Sequence, residues 1–406
     1  MASLQPADQL TVRRNNLALV LRLLHDEGPR SRASVATETG LNKATVSRLV
    51  ADLIDRGLVR ELGVVSEGRR GRPGTLIELD GRHVAALGLE LNVDFITAVA
   101  VDLAGRVIFQ RTRPIDAATA PRHQTLRTLS AMVRQTVKAV ADTCDVIAGV
   151  TVAVPALVDV DARSITLAPN LQWQDVEVGS RVAAALGTPA AVNVDNDANL
   201  GAFAEYRVGK YAGTPNLIYI TGQTGVGGGI VVDGRLLRGS TGFSGEVGHM
   251  HVMEGGPRCG CGRSGCWEAL VGLRPLLRDA VPDVLAVVDA DHPLVGPEEK
   301  VAHVVQRATA GDERVLSALD RHGRWLGIGL GTLVNLFNPE VVILGGFFRD
   351  VAPWVLERAE ATMRELAIAP DAGGCQLAVS TLGFSAAALG AAIYTAERVF
   401  ADPGGI

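Results

Sequence analysis

The spacing of apolar residues over the first 80 positions predicts three short helices. Residues 15–25 place four apolar side chains on one helical face, namely Leu17, Val20, Leu21 and Leu24. Ser31 and Gly40 are typical first and last residues of a second helix. Asn42 is a typical cap of a third helix, in which five apolar residues keep a helical spacing: Val46, Leu49, Val50, Leu53 and Ile54.

Two β-like runs follow, at 59–65 and 75–79, and a Gly-rich segment with three arginines joins them. Two helices around a Gly-containing turn, followed by this hairpin, predict a winged helix-turn-helix over residues 1–80. The outward face of the third helix offers short polar groups and cations to a DNA major groove: Lys43, Ala44, Thr45, Ser47 and Arg48. The wing tip carries Arg69, Arg70 and Arg72, which suit a minor groove. The alternative is a small packing module with a solvated arginine linker, but the order of the elements favours DNA binding.

Beyond residue 80 the pattern repeats. Residues 85–107 and 217–236 both give strand, polar or Gly-rich loop, strand, Asp-containing turn closing in Gly-Arg, and a further strand. A repeat of this kind predicts two similar lobes with a cleft between them. Helix-like segments alternate with short apolar runs, which is typical of α/β lobes. Residues 326–337 are nearly all apolar, so they form either a buried helix or a subunit contact.

Length and composition are consistent with two or three domains. The chain has 406 residues, of which 47% are hydrophobic and 20% charged, enough for a large core. It has no apolar run of membrane-spanning length and no signal-peptide pattern, so we expect a cytoplasmic protein without a membrane partner. The net charge is −5, yet residues 1–80 hold 12 basic against 10 acidic side chains. We therefore expect residues 1–80, which we call the head, to bind nucleic acid, and not the acidic remainder of the chain, which we call the body.

Three of the five cysteines fall close together, at Cys259, Cys261 and Cys266, shortly after His249 and His251. One histidine and three cysteines make the ligand set of a closed tetrahedral zinc site. Three thiolates leave the metal little electrophilic character, so we expect structural Zn²⁺. The alternative is a loop with three incidental reduced cysteines, but glycines at 260, 262 and 265 would let the chain fold around an ion.

From about residue 83 onward, the chain resembles the ROK family (repressors, open reading frames and kinases). The matching elements, in order, are Pro169-Asn170-Leu171-x-Trp173, Asn196-Asp197-Ala198-Asn199, the loop 221–229, Gly245-Glu246-x-Gly248-His249, the cysteine segment 259–268, and Leu344-Gly345-Gly346. The resemblance implies a multidomain protein with the α/β, two-lobed, actin-like (ribonuclease-H-like) fold of sugar kinases. The lobes would cover 83–200 and 201–406, and it stays open whether the last helix returns to the first lobe. A winged head on this body is similar to the family's repressor branch, the xylose- and N-acetylglucosamine-type regulators.

The same resemblance implies a sugar site. It assigns sugar binding to Asn196, Asp197, Glu246, His249 and Glu268, and metal binding to His249 rather than His251. Carboxylates and amides aimed at adjacent hydroxyls are the acceptors that a sugar requires. Zinc on one ring nitrogen of His249 would leave the other nitrogen facing the sugar. The alternative for each isolated acid is a solvated surface carboxylate, and for Asn196 and Asp197 a helix cap.

Kinases of the family are similar to this chain at the residues assigned to sugar binding, but they differ from it at the first phosphate-binding loop. Their counterpart of Asp197 is the general base, and their first lobe opens with an Asp-x-Gly-Gly-Thr loop that grips phosphate. Here the sequence is Glu90-Leu91-Asn92-Val93-Asp94, without both glycines and the threonine. Close backbone approach to phosphate is lost, and Asp94 adds a negative charge. The second glycine-rich loop, 221–229, survives, but it is also the turn that the fold needs.

We therefore predict a sugar-responsive transcriptional regulator without catalytic residues, most simply a repressor. Its partners would be operator DNA and a sugar effector, and we expect a homodimer or homotetramer. One alternative is an ATP-dependent sugar kinase with an accessory DNA-binding head. Another is a regulator that is controlled by a protein partner. Such a regulator would not need the complete set of sugar-binding side chains.

Overall fold

The first domain is a three-helix unit with a small sheet. The computed structural model describes residues 8–65, 74–285, 296–368 and 374–405, so Arg69, Arg70 and Arg72 of the wing tip lie outside the described residues. The elements of this domain are α1 (Gln9–Glu27), β1 (Arg30–Ser31), α2 (Arg32–Thr39), α3 (Lys43–Asp55), β2 (Val59–Val65) and β3 (Gly74–Leu79). The sheet has the order β1-β3-β2, as in a winged helix-turn-helix.

Local capping explains where these helices begin and end. Asn42 Oδ1 accepts a hydrogen bond from Thr45 N at 2.8 Å and so starts α3. Gly40 ends α2 in the left-handed conformation, with φ 72°. The apolar residues that the pattern placed on the inner faces of α1 and α3 are buried, with Ile54 the one that is only half-buried. The predicted head is confirmed.

The first lobe of the body surrounds a five-stranded sheet. Its elements are β4 (Val84–Leu91), β5 (Phe95–Asp102), β6 (Val107–Pro114), α4 (Arg122–Val140), β7 (Val146–Val154), β8 (Leu157–Asp159), β9 (Ser164–Ala168), β10 (Trp173–Val176), α5 (Val178–Leu186) and β11 (Ala191–Asn196). The main sheet has the order β11-β7-β4-β5-β6, and β8, β9 and β10 form a small second sheet. Strands β4 to β6 are antiparallel neighbours, whereas β7 and β11 join in parallel.

The second lobe repeats this plan. Its elements are α6 (Asp197–Val208), β12 (Leu217–Gly222), β13 (Val226–Val232), β14 (Arg235–Leu236), α7 (Glu268–Val271), α8 (Leu273–Ala280), α9 (Pro297–Thr309), α10 (Glu313–Phe337), β15 (Val341–Gly346), α11 (Phe348–Leu366) and β16 (Gln376–Val379). The sheet order is β14-β13-β12-β15-β16, with an antiparallel half followed by a parallel half. The last helix, α12 (Ala386–Ala401), returns to the sheet of the first lobe. The predicted two-lobed fold is confirmed. In the described part of the chain, no helix has both the length and the apolar character that crossing a membrane requires.

The nearly apolar segment 326–337 belongs to α10. That helix packs along α11 within the same chain, and Leu326, Leu330 and Leu333 are buried. A Cβ on Gly327 would lie 2.5 Å from the carbonyl oxygen of Ala359, so the two helices touch backbone to backbone. The segment is therefore helical and buried along one face, whereas Leu336 on the other face is 67% exposed.

The last helix, α12, packs against the first sheet and against α6. A Cβ on Gly88 of β4 would lie 2.1 Å from the carbonyl oxygen of Ala388. On the other side of α12, a Cβ on Gly390 would lie 1.9 Å from the carbonyl oxygen of Leu200. Small residues at these two contacts allow α12 to lie between the first sheet and α6.

The same helix also contacts the head. Val399 and Phe400 of α12 share one hydrophobic cluster with the buried face of α1. The ring centroids of His25 and Phe400 are 4.6 Å apart, and Arg22 pairs with Glu397 at 3.7 Å. The head and the body thus share a core rather than being joined by a linker alone.

Candidate functional site

A cavity of about 300 Å³ lies in the cleft between the two lobes. It is lined by the end of β11, the start of α6, the glycine-rich loop after β12 and the cysteine loop. All five residues for which the sequence predicted sugar binding line it: Asn196, Asp197, Glu246, His249 and Glu268. Residues separated by up to 72 positions in the chain therefore converge on one concave, polar site.

Asn196 and Asp197 stand at the carboxyl end of a parallel strand. Asn196 is the cap of α6, since its Oδ1 accepts from Asn199 N at 3.0 Å, and its Nδ2 donates to Ala156 O at 3.2 Å. The helix cap left open by the sequence is thus present, in a residue that also faces the cavity. Asp197 is 7% exposed, and its Oδ1 accepts from Ala198 N at 2.8 Å. These bonds fix both side chains before any ligand arrives.

Carboxylates crowd the cavity and disfavour their own ionised forms. Burial raises the pKa of Asp197 to about 6. Burial, followed by the nearby charges of Asp197 and Glu268, raises the pKa of Glu246 to about 7. A ligand that donates several hydroxyl hydrogen bonds would relieve this unfavourable environment.

Glu268 connects the cysteine loop to the glycine-rich loop. Its Oε2 accepts a hydrogen bond from Val226 N at 3.0 Å. A Cβ on Gly225 would lie 2.3 Å from the same oxygen, so a side chain at position 225 would displace the carboxylate. The glycine-rich loop therefore positions Glu268.

The four predicted metal ligands form one cluster. The ligand atoms of His249, Cys259, Cys261 and Cys266 all lie within 4.8 Å of one another. The Sγ atoms of Cys261 and Cys266 are 3.7 Å apart, and Cys259 Sγ is 3.7 Å from His249 Nδ1. Two thiolates bound tetrahedrally to one zinc at about 2.3 Å would be about 3.8 Å apart. The donor atoms and their spacing fit zinc.

The geometry distinguishes His249 from His251. His249 presents Nδ1 to the thiols, while its Nε2 lies 3.9 Å from Glu246 Oε2 on the cavity side. His251 is engaged elsewhere, with Nδ1 at 3.1 Å from the carbonyl oxygen of Ser264. A metal on Nδ1 would fix the ring of His249 and leave Nε2 for a ligand.

Asn170, in the Pro-Asn-Leu-x-Trp element, is a residue of the site that the sequence pattern did not predict. Asn170 lines the cavity. It lies against the glycine-rich loop, where a Cβ on Gly225 would be 2.9 Å from Asn170 Nδ2. The motif was the available signal, but only the folded chain brings it to the cavity.

On the head, the surface predicted to contact DNA is open to solvent. Lys43, Ala44, Ser47 and Arg48 are exposed at the start of α3, and Thr45 is half-buried. Within the described ranges neither Lys43 nor Arg48 forms an ion pair, so both cations remain available to phosphate or a base edge.

Comparison with known proteins agrees with this architecture. The ROK family model matches residues 86–398, and the MarR family model matches residues 18–70. The chain is 31% identical over 386 residues to the xylose repressor of Bacillus subtilis, covering 95% of each protein.

Two solved structures resemble this chain, one over nearly its whole length and the other over about three quarters of it. A ROK family transcriptional regulator, a homologue of the Escherichia coli MLC protein, superimposes with a TM-score of 0.78 at 24% identity, over 96% of this chain and 97% of that one. A ROK family glucokinase from Streptomyces griseus, in complex with glucose and AMPPNP, gives a TM-score of 0.63 at 30% identity, over 76% and 98%. The chain therefore belongs to the ROK family.

Proposed function

We propose that this protein is a transcriptional repressor whose binding to operator DNA is controlled by a sugar in the interlobe cavity. The observation that carries the proposal is that one chain combines a winged helix-turn-helix with a cavity in which all five predicted sugar-binding side chains converge. One relative that spans both parts is the xylose repressor of Bacillus subtilis. Xylose is therefore the first effector to test.

In this proposal Asp197, Glu246 and Glu268 accept hydrogen bonds from the sugar hydroxyls. Asn196 and His249 complete the set, with His249 acting through Nε2. The Cys₃His cluster would hold Zn²⁺ in a structural role, because four protein ligands leave no open position for chemistry. Such an ion would hold His249 and the loop leading to Glu268 in place.

The packing suggests how the cavity is coupled to the head. Helix α6 begins at Asp197, touches α12 at the Leu200–Gly390 contact, and α12 in turn contacts α1 through Glu397 and Phe400. A sugar that binds one lobe arrangement more tightly than another would shift α12, and with it the head. In a symmetric dimer, such a shift would change the spacing of the two heads relative to the operator half-sites.

A sugar kinase is the competing function, because a ROK glucokinase also matches the body. Against it, the first loop has Asn92 and Asp94 in place of glycine and threonine, and these side chains are bonded to the second lobe. Lys300, the cation bonded to Asp94, is already neutralised and would therefore offset phosphate charge poorly. We expect no sugar phosphate to form when the protein is incubated with ATP, Mg²⁺ and the sugar that it binds.

The direct test uses the purified full-length protein and the DNA upstream of its own gene. We expect specific binding, measured by fluorescence anisotropy, that weakens by at least about tenfold when the effector sugar is added. A panel of pentoses, hexoses and amino sugars identifies that sugar. Specific DNA binding that no sugar alters would contradict the proposal and favour a protein partner as the signal.

Replacing arginines of the head distinguishes side chains that provide affinity for any DNA from side chains that provide specificity for the operator sequence. Changing Arg69, Arg70 and Arg72 together to alanine should weaken binding to all DNA sequences and reduce the salt-dependence slope by up to about 3, because fewer counterions are released. Arg48→Ala should instead cost about 1–3 kcal/mol at particular operator positions and relax the preference for their bases. Titrations at several salt concentrations against operator variants distinguish these effects, and an unchanged salt slope in the triple variant would show that the wing does not touch DNA.

A further inference from the structure

Side chains from both lobes meet at one end of the inner cavity. Glu90 and Asn92 come from the first hairpin of the first lobe, and Gln223 from the matching loop of the second lobe. Asn92 Nδ2 donates to Glu90 Oε1 at 3.1 Å and also to Gln223 Oε1, while Gln223 Nε2 donates to Glu90 Oε1 at 3.0 Å. Each of the three is therefore hydrogen-bonded to the other two, and all three are buried.

An ion pair continues this contact outward. Lys300 on α9 lies with Nζ 3.0 Å from Asp94 Oδ2, and Thr224 Oγ1 donates to the same oxygen at 3.4 Å. The side chains of Asp94 and Lys300 are only 14% and 16% exposed, so solvent screens the pair little. We name the following set the interlobe clasp: Glu90, Asn92, Asp94, Gln223, Thr224 and Lys300.

The clasp stands between two cavities. Asn92, Gln223 and Thr224 line the inner cavity of about 300 Å³, which also holds the predicted sugar-binding residues. Asp94 lines a second cavity of about 330 Å³ on the outer side, together with residues of both lobes. Since Thr224 is bonded to Asp94, a ligand that extended from one cavity into the other would have to break this wall.

The charges at this wall disfavour anions. Glu90 is fully buried, its Oε2 has no hydrogen-bond partner among the described residues, and burial together with the nearby Asp197 raises its pKa to about 8. A phosphate arriving here would face Asp197 on one side and Asp94 on the other. Lys300, the cation within the clasp, is already neutralised by Asp94. Arg263 lines the inner cavity and Arg349 the second one, but neither is part of the wall that Asp94 and Thr224 form. A neutral hydroxyl meets none of this repulsion.

We propose that the interlobe clasp makes the effector site specific for an uncharged monosaccharide and excludes the corresponding sugar phosphates. The inference rests on the proposed function, since it takes the inner cavity to be the sugar site. It adds the chemical class of the effector and the residues that select it. Asp94 is the selecting group, because it both repels an anion and neutralises Lys300, the cation of the clasp.

The test compares sugars with and without phosphate on the full-length protein. Isothermal titration calorimetry is run with D-xylose, D-glucose and N-acetylglucosamine, and with the 6-phosphates of the last two. We expect at least one neutral sugar to bind, and a 6-phosphate to bind at least about tenfold more weakly than its parent. If D-xylose is the sole neutral sugar that binds, its 5-phosphate replaces the 6-phosphates.

Asp94→Asn keeps the size of the side chain but releases Lys300. In this variant the penalty for the phosphate should fall to about threefold or less, chiefly because the phosphate binds more tightly. Lys300→Met has the opposite effect, because Asp94 is then uncompensated and phosphate should bind still more weakly. Asp283→Asn is the matched control, since it breaks an exposed ion pair with Arg307 that does not line either cavity, and it should leave the ratio unchanged.

The outcomes distinguish this inference from the proposed function. If the wild-type protein prefers the sugar phosphate, the inference is wrong while a sugar-responsive repressor stands. If the neutral sugar is preferred but neither Asp94→Asn nor Lys300→Met changes the ratio, the clasp is not the selecting element. If no sugar of either class binds or releases DNA, the proposed function fails, and the inference fails with it.

Discussion

Replacing Cys261 with serine is expected to remove the metal and, with it, the response to sugar. Cys261 Sγ lies 3.7 Å from Cys266 Sγ in a cluster that has four potential ligands, so serine would leave three. The zinc content, measured by mass spectrometry on protein purified without added metal, should fall from about one per chain to well below half. Sugar affinity should fall by at least about tenfold, because His249 and the loop leading to Glu268 lose their anchor.

Cys375→Ser is the matched control for this experiment. Cys375 is half-buried, lies outside the metal cluster and has its Sγ 3.7 Å from the carbonyl oxygen of Gln376. This variant should keep both zinc and sugar binding. Full zinc retention in Cys261→Ser would contradict the metal site. Loss of zinc with unchanged sugar affinity would show that the metal supports the fold but does not position the sugar-binding side chains.

Asp197→Ala is expected to abolish sugar-dependent release from operator DNA while leaving binding in the absence of sugar near normal. Asp197 is buried at the start of α6 and faces the cavity, so its loss removes charged hydrogen bonds to sugar hydroxyls. Each such bond contributes about 1.5–3 kcal/mol, so sugar affinity should fall by at least about tenfold. Asp197 is not part of the hydrophobic cluster that the head shares with α12, so the sugar-free complex with DNA should persist.

Two comparisons make this result interpretable. Asp161→Ala removes an exposed carboxylate of the first lobe and should leave the response intact. In the wild-type protein, burial places the pKa of Asp197 near 6, so the carboxylate is ionised above that pH and protonated below it. Sugar affinity should therefore decline as the pH falls through about 6, and this step should be absent in Asp197→Ala, whereas a decline near pH 7 from protonation of Glu246 should remain. Normal release by sugar in Asp197→Ala would place the effector elsewhere.

Local sequence signals determined much of this protein. Caps and turns act within three or four residues, so Asn42, Ser31 and Gly40 set the helices of the head before any tertiary contact forms. The alternation of apolar and polar residues is visible within each of the two repeated hairpins alone. It therefore predicted the two lobes. The cysteine spacing likewise predicted the metal cluster, since its thiols are contributed by one short loop. The predicted family and fold are confirmed, whereas the roles of individual site residues stay predictions.

Contacts between residues that are distant in sequence were determined only by the folded chain. Lys300 lies in an amphipathic helix where a lysine is ordinarily solvated, and only packing brings it to Asp94, 206 positions away. The sequence predicted that Asp94 would repel phosphate, but not that it would also hold the two lobes together. In the same way, the position of α12 between the first sheet and α6 depends on the Gly88 and Gly390 contacts. Local propensity specifies helices and strands. Contacts across a cleft depend on how whole lobes pack, and the short-range sequence pattern does not determine that packing.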